Sequence, residues 1–239
     1  MTETGNNFSN ITMTGTGSAI LWQNNSGVSS VNAPNRNISG NSFSNISVGS
    51  GALVVMSINA GAATDCSSNT ISNISGTGSI TAMDIGLVNG QGTHNYSSNT
   101  ILSLVSNGTG GDVTGIRASF PMVFTANING NSITGLSSTG DNAVVAGINL
   151  VSGGTETAIF DNLVNDLSGS GTGVPALYGI RVIDGLLVNV YRNKLHSFTE
   201  SAAISAGSSA VHGIFIDGGT TVNAYNNFIA QLNTPNASL

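Results

Sequence analysis

The stretch VNVYRNKLHSF, Val188–Phe198, decides the fold. Val188 and Val190 alternate with Asn189 and Tyr191, the period of a strand with one buried face. Asn193 then breaks the alternation, and two apolar residues follow it at wider spacing, Leu195 and Phe198. The same writing returns as VNAYNNFIAQL at Val222–Leu232. Its core (Asn, any residue, apolar, two variable residues, apolar) begins at Asn6, Asn41, Asn69, Asn99, Asn131, Asn162, Asn193 and Asn227, at intervals of 28 to 35 residues. Val188–Leu195 also fits a leucine-rich repeat. That fold uses a shorter period of roughly 20 to 29 residues and places a helical segment after the Asn. Here each repeat continues instead into a Gly/Ser/Thr loop and a further β-branched strand.

That further strand is usually introduced by Gly, as in GIRA at Ile116, GINL at Ile148, GIRV at Ile180 and GIFI at Ile214. Each repeat therefore holds three short strands, too few to bury an apolar face alone, so neighbouring repeats must stack to share a core. The expected fold is all-β: a right-handed parallel β-helix of about seven coils of about 31 residues, forming a single domain over 1–239. Stacking predicts interior columns. Phe8, Phe43, Ile71, Ile101, Ile133, Val164, Leu195 and Ile229 lie two residues after the repeated Asn. Ile11, Ile46, Ile74, Leu104, Leu136, Leu167, Phe198 and Leu232 lie five after it, and Ile38, Cys66, Tyr96, Ile128, Ile159, Val190 and Ala224 three before it.

The Asn itself is expected at a corner where the chain leaves the β region, since Asn tolerates the left-handed conformation. Asn41, Asn69, Asn99, Asn131, Asn162, Asn193 and Asn227 are expected to hydrogen-bond along the stack as a structural ladder.

Composition bounds the function. The 239 residues are 39% hydrophobic and only 7% charged, with five Lys and Arg in all and a net charge of -6. Nucleic acid needs clustered basic residues, so it is excluded as a partner. No run of 18 apolar residues is present, so membrane insertion by a helix is not expected. The single cysteine, Cys66, falls in an apolar column and reads as an inert core thiol.

NTISNIS, the GSGTG loop, GIRV, GIFIDGG and TTVNAYNN together resemble the tandem β-helix repeats of large secreted surface proteins of the Bacteroidetes type and, more broadly, the pectate-lyase-like superfamily. The resemblance spans the chain but is architectural, and such coils serve adhesins, polysaccharide-degrading enzymes and tailspikes. It implies an extracellular or cell-surface location, with an export signal outside this segment, and a polysaccharide or surface glycan as partner.

The motifs expected of an enzyme in that superfamily are missing: neither an N-T-D with D-D and G-H-G nor R-x-P-x-x-R occurs. The nearest catalytic candidates are Arg181, Asp184 and Asp217, which could serve hydrolysis or hold calcium. Turn chemistry explains IDG and IDGG more simply. His94, His196 and His212 fall at different offsets from the repeated Asn, so no metal site or other cofactor is expected. Asp161 and Arg192 share one offset and should pair across coils. Phe160, Tyr191 and Tyr225 share the next and should form an outer aromatic ladder, a candidate ligand-binding surface for sugar rings or a partner. The first motif begins at residue 6 and the last ends at Leu232, which suggests an uncapped segment of a longer protein with end-to-end or lateral self-association. The expectation is a non-catalytic structural or adhesin-type segment; a polysaccharide lyase or glycoside hydrolase is the alternative.

Overall fold

A coil is best followed around Asn131. The strand Thr125–Asn129 alternates buried and half-buried side chains, Gly130 and Asn131 turn the chain, and the strand Ser132–Ser138 leads through a loop to a third strand, Val144–Ser152. The computed structural model describes residues 1–25, 34–59, 61–86, 92–121, 124–171, 176–201 and 211–235. Among them the three-strand unit recurs from Thr2 to Asn233, and every pairing between equivalent strands is parallel. The result is a parallel β-solenoid with no helix among the described residues. Its first sheet stacks eight strands, Thr2–Thr4 to Thr221–Tyr225; the second eight, Asn7–Met13 to Phe228–Asn233; the third seven, Ala19–Asn24 to Val211–Ile216.

The register places the interior columns where the sequence puts them, although in the last coil Ile229 and Leu232 keep the register but are 44% and 40% exposed. Phe43, Ile71, Ile101, Ile133, Val164 and Leu195 are direct partners in successive strands of the second sheet, each at most 1% exposed. In the first sheet Cys66 and Tyr96 sit in line with Ile38 and Ile128, fully buried.

The asparagines form a ladder with every polar atom of the inner rungs engaged. Asn99 Nδ2 and backbone N–H both donate to Asn131 Oδ1 at 3.0 Å. Asn131 Nδ2 in turn donates to Asn162 Oδ1 and to the Tyr96 carbonyl, each at 2.9 Å. The pattern runs from Asn6 to Asn227. An amide has two acceptor sites and two donors, so burying it here leaves none orphaned.

One expectation about this corner is corrected. The ladder asparagines do not take the left-handed conformation; the residue before each does. Gly5, Gly40, Ser68, Ser98, Gly130, Asp161, Arg192 and Asn226 have φ between 54° and 69°. A second left-handed column lies four residues after the Asn, from Asn10, Asn45 and Asn73 to Ser197 and Gln231. That bend explains the odd spacing of the motif: one residue outside the pleat lets side chains three apart, such as Ile133 and Leu136, both point inward.

Glycine enters the third sheet for space. A Cβ on Gly147 would lie 2.5 Å from Val164 Cγ1 and 2.7 Å from the Gly179 carbonyl oxygen. Gly147→Ala is therefore expected to cost about 1–3 kcal/mol through overpacking, read as a lower denaturant midpoint with unchanged slope.

Candidate functional site

Three surfaces and one buried cluster carry chemistry. On the outer face of the first sheet Phe160, Tyr191 and Tyr225 stack in register, with centroids 5.0 and 5.1 Å apart and interplanar angles of 2° and 4°. Arg192 and Asp161 lie beside them as a two-pronged ion pair with bonds of 2.8 and 2.6 Å, and the guanidinium also covers the Tyr191 ring at 5.1 Å. The bonds from Arg192 hold the Asp161 carboxyl below its usual pKa. Parallel stacking turns the ring faces toward one another, so Tyr191 offers solvent its edge. This geometry suits mutual stabilisation better than the face-on contact a sugar ring makes.

The outer face of the third sheet holds the catalytic candidates. Arg117, Asn149 and Arg181 are in register in three successive strands. Arg117 pairs with Asp84 at 2.8 Å, and Arg181 with Asp217 at 3.0 Å. Asp184 does not join them: its Oδ1 accepts from the Gly185 backbone N–H at 2.8 Å, as a turn residue does. The structure thus brings together two of the three candidates. The sequence reading missed the rings around them. Tyr178 stacks on His212 at 5.1 Å, Phe215 contacts both, and Arg181 lies 5.1 Å from the Tyr178 ring centroid.

A third surface lies on the second sheet, between Lys194–Glu200 and Phe228–Asn233, where Lys194, His196, Phe228, Ala230 and Gln231 line a hollow of about 240 Å³.

The buried cluster is His94, Tyr96 and Cys66. His94 shares its interior column with Ala126 and is fully buried, edge-on to Phe124 at 5.1 Å. Neither ring nitrogen has a hydrogen-bond partner among the described residues. Burial lowers its pKa to about 4. Burial also pushes the Cys66 thiol and the Tyr96 phenol up, so Cys66 is no nucleophile. The signal for His94 was available, because it precedes Asn99 by the same five residues that separate Val188 from Asn193. Among the described residues no three His, Cys, Asp or Glu side chains gather as a metal site, and no helix is long and apolar enough to cross a membrane.

Fold and ladder define the class: a parallel β-solenoid repeat protein. No protein family, curated protein or solved structure matches this chain.

Proposed function

We propose that this chain is a rigid segment of an extracellular or cell-surface β-solenoid, adhesin-like in role and pectate-lyase-like in coil, that spaces or displays a surface without catalysis. The observation that supports this is the unbroken Asn ladder from Asn6 to Asn227 beneath continuous apolar columns. Eight stacked strands at roughly 4.8 Å make a rod segment about 34 Å long. Surface glycan is its proposed partner.

A second reading, polysaccharide lyase or hydrolase, is favoured by the Arg181–Asp217 pair beside Tyr178, His212 and Phe215. One experiment separates the two: a glycan array run beside depolymerisation assays, with and without calcium, on the wild type and the Asp184→Asn/Asp217→Asn double variant. The spacer reading expects no cleavage by either protein. Cleavage by the wild type that the double variant loses would overturn it.

A further inference from the structure

The stack of coils has two unlike edges, and each offers what the other lacks. The tail edge is formed by the strands Val211–Ile216, Thr221–Tyr225 and Phe228–Asn233. Here residues of the interior columns lie open to solvent: Ile229 and Leu232 are 44% and 40% exposed, while their partners Leu195 and Phe198 are fully buried. Ile216 is 46% exposed beside a fully buried Val182. An open strand edge carrying apolar side chains is a template for pairing. The head edge is formed by Thr2–Thr4, Asn7–Met13 and Ala19–Asn24.

The asparagine ladder decides which partner the tail edge fits. Each inner rung accepts at Oδ1 from the rung before it and donates to the rung after it. Asn227 accepts from the Asn193 backbone N–H and Nδ2 at 3.0 Å, and its Nδ2 donates to the Val190 carbonyl at 2.9 Å. Its backbone N–H and second Nδ2 hydrogen have no acceptor among the described residues. Asn6 has the opposite deficit: its N–H and Nδ2 donate to Asn41 Oδ1 at 3.0 and 2.9 Å, and its own Oδ1 has no donor among the described residues. An amide oxygen takes two hydrogen bonds, so the spare donors of Asn227 match the spare acceptor of Asn6. Two tail edges would instead set donor against donor.

We propose that the tail edge docks on the head edge of a second copy of this chain, continuing the ladder and the columns across the joint. Extending the register places the Asn227 N–H and Nδ2 on Asn6 Oδ1, and Asn6 Nδ2 on the Ala224 carbonyl, the three bonds of an inner rung. The same register sets Ile229 against Phe8, Leu232 against Ile11 and Ile214 against Trp22. Glu3 lies in the column of Ile38 and is already paired with Arg36 at 3.4 Å. It meets Ala224, the smallest side chain of that column. A contact between unlike edges along the stack axis does not close on itself, so chains add end on end. The joint goes beyond the spacer role proposed above and holds whatever the rod displays.

The test is sedimentation velocity on the whole chain over a concentration series, with one variant at each edge. Asn6→Lys, at an exposed position, removes the acceptor and sets an ammonium against the Asn227 donors. Leu232→Lys puts a charge among the apolar residues of the tail. The wild type should grow beyond a dimer as concentration rises. Each variant alone should need roughly hundredfold more protein to associate. Mixed in equal amounts, the two variants should form a dimer and nothing larger, because one has an intact tail and the other an intact head. Unchanged circular dichroism confirms that both keep their coils. A wild type monomeric throughout the series, Asn6→Lys dimerising alone through its tail, variants associating as readily as wild type through a lateral face, or a mixture that stays monomeric would each overturn the assignment.

Discussion

Asn131→Ala is expected to destabilise the solenoid by about 3–5 kcal/mol, far more than its small loss of volume would suggest. Asn131 is 1% exposed. Removing its amide leaves the Asn99 backbone N–H and Nδ2 without their acceptor, and the Tyr96 carbonyl without its donor. Asn162 Oδ1 keeps the Asn131 backbone N–H at 3.0 Å. Three buried hydrogen bonds are therefore lost, although Asn99 Nδ2 keeps its bond to the Cys66 carbonyl at 3.0 Å; each loss costs roughly 1–3 kcal/mol, with relaxation and water recovering part.

Asn131→Asp makes the sharper comparison, being nearly isosteric. A carboxylate still accepts from Asn99 but faces the Tyr96 carbonyl and Asn162 Oδ1 with lone pairs instead of hydrogens. Its folded-state pKa is then raised above the unfolded value of about 3.9. Relative to wild type at the same pH, the variant should be least destabilised below that value and fall further behind as pH rises through the raised pKa. Denaturant titrations of both variants across pH decide the matter, and an Asn131→Ala midpoint equal to wild type would show the ladder to be decorative.

How much of this could be read from the sequence depended on whether an offset from the repeated Asn stayed constant. Between the first and second sheets the corner never varies in length, so the columns of Ile101 and Leu104, the stack of Tyr191 on Tyr225 and the Asp161–Arg192 pair were all legible. Between the second and third sheets the loop length changes. Tyr178 lies 16 residues after Asn162, and His212 lies 19 after Asn193, although the two are register partners. That drift hid the ring cluster around Arg181. Asp184 failed as its companion for a local reason: its carboxylate caps the Gly185 backbone N–H in the turn, and Arg181 reaches Asp217 instead. The corner was located but assigned to the wrong residue. Periodicity shows where a chain turns, whereas the left-handed residue is set by which side chain must stay inside to reach the ladder.

His94 makes acid the condition under which this fold weakens. Its interior column places it with Ala126, Thr157 and Val188, where neither ring nitrogen has a hydrogen-bond partner among the described residues. Burial lowers its pKa from 6.5 to about 4. Between those values the unfolded chain holds a proton that the folded chain does not, so stability rises with pH across this window. Above about 6.5 both states are neutral and stability is complete; as pH falls toward about 4, about 3 kcal/mol is lost, at 1.36 kcal/mol per pKa unit. The Arg192–Asp161 pair also responds to acid, with the Asp161 carboxyl held below its usual range, so the wild-type profile alone would not isolate the imidazole. His94→Leu does, because leucine fills much of the same space with nothing to protonate. Chemical denaturation of both proteins from neutral pH to the lower end of the window should give curves that diverge in acid, with His94→Leu the more stable. Parallel curves would mean that water or backbone reaches the imidazole, and that the column is less dry than its packing implies.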